Sequence, residues 1–200
     1  MTNPTANASS RNPSVAAATA TASPTALPLA AGSWTLDTAH ATVGFTIRHL
    51  GISKVRGTFG TVDAVLIVGD ALASSSVSAV IDLASIDTRN VDRDTHLRSA
   101  ELLDTDRRSA MTFRSTDIVA AADGWVLHGD LTIGEVTRPV ALDVELGGVE
   151  TFALDQKLHA GFDVRGELSR KDFDLRFGPL DAVLGDTVRL EIDLQFVADG

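Results

Sequence analysis

The chain has 200 residues, 44% of them hydrophobic and 22% charged, enough for one folded domain with a sizeable core. Its formal net charge of −10 argues against a nucleic-acid partner and disfavours an anionic membrane surface, since both recruit clustered Lys and Arg. The absence of cysteine excludes disulfides, thiolate metal sites and cysteine nucleophiles. No apolar run approaches the roughly 20 residues that span a bilayer, so no stable membrane insertion is expected.

Residues 1–33 carry a single charge, Arg11, and four of the six prolines. That composition cannot bury enough apolar surface to order itself, so a disordered Ala/Thr/Pro-rich tail is expected ahead of a domain over 34–200. An export signal is the alternative, with Val15 to Ala22 as its apolar stretch and Ala30-Ala31-Gly32 as its small residues. Thr residues and Pro24 interrupt it, so a cytoplasmic location is expected over a periplasmic or secreted one.

From Trp34 onward, apolar and polar residues alternate with the period of two that gives a strand one dry and one wet face. Eight strands are predicted, over 34–49 (broken at 38–39), 56–68, 75–83, 110–118, 124–133, 138–146, 157–168 and 187–197. The last is the cleanest: Val188, Leu190, Ile192, Leu194 and Phe196 alternate with Arg189, Glu191, Asp193 and Gln195. Short Gly-rich reversals such as Ile133-Gly134-Glu135-Val136 join neighbours as hairpins. Between the third and fourth strands, Asn90 or Asp92 can cap one short helix running to about Leu103. The fold class expected is therefore all-β: an eight-stranded antiparallel up-and-down barrel with one inserted helix. What fills such a barrel, packed side chains or an apolar ligand, is the functional question. Inward candidates are Val43, Phe45, Ile47, Phe59 and Ile81, then Leu97 on the helix, then Phe113, Leu131, Ile133, Phe162, Val164 and Phe173. Taken singly, each reads as core as readily as cavity lining.

The polar clusters have the same double reading. Asp37, His40 and His49 invite an acid and two imidazoles at one barrel mouth, yet the five histidines show no metal-ligand spacing, so no metal is expected. Arg93, Asp94, His96 and Arg98 lie within two turns of the helix, where residues three and four apart share a face. An ion-pair network fixing the helix on the barrel is the plain reading of that segment, with Asp94 able to pair with Arg98. The chain lacks a Gly-x-Ser-x-Gly elbow, a Walker loop, a dinucleotide fingerprint and a His-Glu-x-x-His motif.

A series of short motifs, each weak alone, becomes specific through its order. It runs Trp34-Thr35-Leu36-Asp37 with His40, Val43-Gly44-Phe45-Thr46-Ile47-Arg48-His49-Leu50-Gly51, Val55-Arg56-Gly57-Thr58-Phe59 and Ile86-Asp87-Thr88. It continues with Arg93-Asp94-Thr95-His96-Leu97-Arg98, Phe113-Arg114-Ser115-Thr116, Gly129-Asp130-Leu131-Thr132-Ile133, Val136-Thr137-Arg138-Pro139-Val140, Arg170-Lys171-Asp172-Phe173 and Leu184-Gly185-Asp186-Thr187-Val188. On these residues the chain resembles the YceI-like family, lipocalin-like barrels known as polyisoprenoid-binding proteins, over essentially all of 34–198. It departs from the family pattern at Glu135, at Arg108-Ser109 and at Asp174, which stands where the family carries Gly; a left-handed backbone tolerates Asp better than most residues.

The resemblance implies non-enzymatic binding, storage or transport of an isoprenoid lipid, with that lipid or a quinone as the only bound group and no cofactor. It implies a homodimer as a possible assembly. The inward residues above would hold the tail, while His40, His49, Arg93, His96, Arg98, Arg138 and Arg170 would stand at the mouth for a head group, the arginines through charge-assisted bonds. Each isoprene unit buries about five carbons and contributes up to ~4 kcal/mol before ordering costs, so a few units reach the roughly −8 kcal/mol of micromolar binding. Two alternatives stand beside it: a barrel isomerase or hydrolase using Asp37, His40 and His49, and a structural dimer without ligand.

Overall fold

The period of two produces eleven strands in the computed structural model, which describes residues 25–200. They are β1 Gly32–Leu36, β2 Thr42–His49, β3 Ser53–Phe59, β4 Val62–Val68, β5 Ser76–Asp82 and β6 Ile86–Asp87, followed by β7 Ala110–Ala121, β8 Gly124–Ile133, β9 Val136–Thr151, β10 Leu158–Ser169 and β11 Leu184–Ala198. All pairings are antiparallel. Three pairs of these strands are single strands bent at their middle. β1 and β2 both run antiparallel to β11, β3 and β4 lie beside them, and β5 and β6 lie beside β4 and β3 in turn. Counted that way the ring holds eight positions and closes where β11 pairs with both β1 and β2, which is the barrel expected from the sequence.

The bends share one level. A 3-10 turn at Thr38–His40 separates β1 from β2, Gly60-Thr61 separates β3 from β4, and a 3-10 turn at Leu83–Ser85 separates β5 from β6. The broken edges are restitched across the gap by Gly60 N–H to the Ser85 carbonyl at 3.2 Å and Asp82 N–H to the Thr61 carbonyl at 3.0 Å. The one α-helix among the described residues, α1 Val91–Arg98, lies between the third and fourth positions. It is shorter than the stretch to Leu103 expected from the sequence. Its Asn90 cap accepts from Arg93 N–H at 2.9 Å, but Ser99 takes an extended backbone and ends it, after which Leu102 and Leu103 turn into the barrel.

One half of the interior is solid. Trp34, Leu36, Val43, Val62, Leu66, Val68, Ile81, Ala160 and Phe196 form a buried cluster at the end where the chain enters. Trp34 is 1% exposed and donates its indole N–H to the Ala30 carbonyl at 3.0 Å. Residues 1–24 of the expected tail lie outside the described residues. Its last part is held on the barrel: Leu27 packs against both apolar clusters, Leu72 N–H donates to the Thr25 carbonyl, and Gly32 and Ser33 already belong to β1. Apolar Leu27 and Leu29 supply the buried surface that the average composition of residues 1–33 hides.

Candidate functional site: the hollow end of the barrel

At the opposite end the same inward alternation leaves space. A cavity of about 720 Å³ is walled by Phe45 and Ile47 of β2, Val55 and Phe59 of β3, Ile133 of β8, Leu168 of β10 and Val188 and Leu190 of β11. Leu97 of α1 and Leu102, Leu103, Leu175, Phe177 and Leu180 of the connecting segments cover it. That volume falls within the roughly 300–1,000 Å³ of small-molecule pockets, and the wall is apolar as such pockets require. Apart from buried Arg170, its polar groups gather at the rim: His49, Ser53, Lys54, Asp92, Arg93 and His96.

Two polar devices hold the cover. The first docks α1, an eight-residue helix with little apolar face of its own. Buried Asp94 accepts from the Thr88 N–H at 2.9 Å and from the Thr88 hydroxyl. Arg93 donates to the Thr88 hydroxyl at 2.6 Å and to the Thr88 carbonyl at 2.8 Å. Arg98 reaches back to the carbonyls of Ala84 at 2.7 Å and Ile86 at 2.6 Å. Asp94 thus finds its partner in Thr88 rather than through a direct bond to Arg98, whose charge acts on it only at a distance. Burial pushes the Asp94 carboxyl up, but the bonds from Thr88 and the Arg98 and Arg93 charges outweigh it and hold the group below its ordinary value.

The second device ties down residues 170–184. Arg170, 1% exposed, donates to the carbonyls of Leu175 at 2.7 Å and Gly185 at 3.0 Å and to Asp181 at 2.6 Å, with its guanidinium 5.1 Å from the Phe177 ring centre. The turn that follows Arg170 needs Asp174 at φ 55°, the left-handed backbone expected there from the sequence.

The candidates from the sequence fall into distinct places. Phe45, Ile47, Phe59, Leu97 and Ile133 line the large cavity. Val43 and Ile81 belong to the solid cluster, while Phe113, Leu131 and Phe173 are buried among core side chains at 7%, 7% and 2% exposure. Phe162 and Val164 line a separate apolar space of about 60 Å³ towards the solid end, shared with Leu27, Trp125 and Phe196. Of the mouth candidates, His49, Arg93 and His96 stand at the rim, Arg93 already bonded to Thr88 and His96 to Glu101 at 3.1 Å, and Arg170 touches the cavity with its guanidinium spent on the cover. Arg98 is likewise spent on backbone carbonyls, and exposed Arg138 bonds only the carbonyl of Thr137. His40 pairs with Asp37 at 2.8 Å in the turn before β2, and its imidazole holds the Asp37 carboxyl below its ordinary value. The eight residues of β2 separate that pair from His49 by roughly 25 Å. The expected cluster of Asp37, His40 and His49 at one mouth is therefore not formed: Asp37 and His40 sit at the bend between β1 and β2, and only His49 reaches the cavity mouth.

Several cavity residues escaped the sequence reading. Val188 and Leu190 share the inward face of β11 with Ile192 and Phe196, and only the position of the solid cluster tells wall from core. Leu175, Phe177 and Leu180 carry no strand or helix period that would have marked them. Among the described residues no group of three or more His, Asp or Glu is arranged to hold a metal ion.

The geometry is that of an antiparallel barrel open at one end to an apolar, small-molecule-sized cavity. A family model for the YceI-like domain matches residues 34–196. The chain belongs to the YceI-like family. It is 38% identical over 138 residues to the Protein YceI of Escherichia coli O17:K52:H18, covering 68% of this chain and 72% of that one, and 37% identical over 138 residues to the UPF0312 protein plu2095 of Photorhabdus laumondii, covering 68% and 71%. Among solved structures, the Campylobacter jejuni YCEI protein superposes with a TM-score of 0.66 at 32% identity, covering 83% of this chain and 98% of that one. The barrel is also shared with Burkholderia cenocepacia BcnA, at a TM-score of 0.71 and 21% identity over 80% and 98% of the two chains. A polyisoprenoid binding domain from Saccharophagus degradans has the same fold, at a TM-score of 0.60 and 18% identity over 82% and 98%.

Proposed function

We propose that this protein binds an isoprenoid lipid in the hollow end of its barrel and carries or stores it without changing it chemically. The observation that carries this reading is the cavity itself, about 720 Å³ of space walled by apolar side chains with its polar groups, buried Arg170 apart, at one rim. An unbranched chain of methylenes and a methyl-branched isoprenoid both gain from such a wall, at about 0.8 kcal/mol per buried CH₂. The Saccharophagus degradans neighbour, described as polyisoprenoid binding, favours the branched class. His49 and Lys54 would meet a polar or anionic head at the rim, where Arg93 is bonded to Thr88 and His96 to Glu101, so the tail would supply affinity and the rim orientation. The separation of Asp37 and His40 from His49 removes the constellation on which an isomerase or hydrolase reading rested.

Native mass spectrometry of the purified protein, followed by organic extraction, tests the proposal. A stoichiometric adduct that extracts as a polyprenyl compound is the expected result. A bare protein that also fails to take up added polyprenol would overturn it.

A further inference from the structure

The net charge of −10 conceals one local reversal. From residue 38 to residue 62 the chain has no Asp or Glu, while Arg48, Lys54 and Arg56 fall within it. These residues form the hairpin of β2 and β3, in which Arg48 lies opposite Lys54 and Thr46 opposite Arg56, so the three cations share the outer face. All three are exposed, and none of them meets a carboxylate at ion-pair distance among the described residues.

The tip of the same hairpin is apolar and unburied. Leu50 is 56% and Ile52 83% exposed, and Val91, the first residue of the helix that lines the other part of the rim, is 80% exposed. The turn places Leu50 at φ 53° and Gly51 at φ 72°, closed by Ile52 N–H to the His49 carbonyl at 3.2 Å. Both central positions are left-handed, a geometry for which Asn-Gly is the favoured pair. A leucine there adopts a costly backbone and leaves more than half of its surface unburied. The Leu50 N–H also donates to the carbonyl of Val183, a cavity residue, at 2.6 Å, so the tip is bonded to the cavity cover.

We infer that this hairpin docks the cavity mouth on the surface of an anionic lipid bilayer, with Leu50, Ile52 and Val91 entering the interface and Arg48, Lys54 and Arg56 facing the head groups. Charge and position argue for a membrane over an acidic protein or a second copy of the chain. Leu50 and Ile52, flanked by a basic stripe, suit an interface where hydrocarbon lies just beneath anionic head groups, Asp92 being the one acidic group among the rim residues, and the tip adjoins the entrance of a cavity whose ligand would otherwise have to cross water. The other exposed apolar turn, with Phe152 48% and Leu154 84% exposed, lies at the solid end between Glu150 and Asp155 and lacks both features. The docking inferred is peripheral, and no helix of the described residues is long and apolar enough to cross a membrane. As an account of where ligand is exchanged this rests on the proposed lipid binding, whereas docking itself is measurable without ligand.

The test is flotation of the full chain with vesicles of equimolar phosphatidylglycerol and phosphatidylcholine, and with phosphatidylcholine alone, at low ionic strength. Polyprenol uptake from detergent, without vesicles, is measured in parallel. The expected result is flotation with the anionic vesicles only, reduced at least ~10-fold by Leu50→Asn with Ile52→Asp and similarly by Arg48→Gln with Arg56→Gln. Leu50→Asn suits the left-handed turn, so loss of fold is not expected to cloud that variant, and circular dichroism checks it. Polyprenol uptake should stay unchanged in both variants. Absence of flotation, or flotation unaffected by either pair of substitutions, overturns the inference. A change in oligomeric mass on substituting the tip, with no flotation of the unaltered chain, overturns it in favour of a contact between copies. Flotation as expected with no polyprenol uptake leaves docking standing and overturns the proposed function instead.

Discussion

Arg170 and Asp181 lie eleven residues apart in the chain and meet at 2.6 Å above the cavity, one of them 1% and the other 28% exposed at the side chain. A guanidinium so placed resembles a head-group ligand in sequence and behaves as a pin in structure. Replacing it by Met removes its bonds to Leu175, Gly185 and Asp181 and strands carbonyls that water does not readily reach. Arg170→Met should lower stability by about 2–4 kcal/mol, read as a fall in the urea midpoint. Arg170→Lys should recover little, because an ammonium cannot reproduce the fork.

Acid should loosen the cavity cover. The Phe177 N–H, and after it the Arg170 guanidinium, holds the Asp181 carboxyl below its ordinary 3.8; Asp94 under α1 is held below 3.8 as well, the Thr88 bonds overcoming its burial. Both carboxyls therefore bind protons more readily in the unfolded chain. Their contribution to stability is complete above about pH 5 and disappears as pH falls through the lowered folded-state values. Binding of a hydrophobic dye, followed from pH 7 downwards, should rise below about pH 4. Asp94→Asn with Asp181→Asn should weaken that pH dependence.

Filling the hollow should separate binding from stability. Leu190 points into the cavity from β11, so Leu190→Trp adds bulk to empty space instead of overpacking a core. Polyprenol uptake should fall at least ~10-fold while the thermal midpoint holds or rises. Loss of uptake accompanied by a large fall in the midpoint would place Leu190 in packed core.

The solid end should answer in the opposite way. Trp34 is 1% exposed and bonded to the Ala30 carbonyl. Trp34→Ala should cost about 3–5 kcal/mol with little change in the affinity of the molecules that remain folded. Chemical denaturation and uptake measured on one preparation check both halves of that statement.

The barrel was legible because period-two alternation is a local signal and the eight spans it marks are the eight ring positions, including the break in the first. The division of the interior was not. Val43 and Phe45 occupy successive inward sites on β2 with equally apolar side chains, yet Val43 joins the Trp34 cluster and Phe45 faces the cavity. What separates them is distance from Trp34 along the barrel axis, a property of the closed ring and not of either residue's neighbours in sequence. For the same reason His40 and His49, nine positions apart and alike in chemistry, invited a joint role that a straight strand forbids. Arg170 was misread because its partners, Leu175, Asp181 and Gly185, lie in a segment without period.

The common level at which the first three ring positions bend marks a frontier between two tasks. Beyond it on one side, close packing secures the fold; on the other, a covering helix and a pinned loop keep a space from collapsing. Because the interruption breaks three of the eight ring positions while Gly60 and Asp82 restitch their edges, reshaping the empty half on that side passes less strain to the full one. A lineage or an engineer altering the contents of this vessel can therefore work above the seam, leaving the foundation untouched.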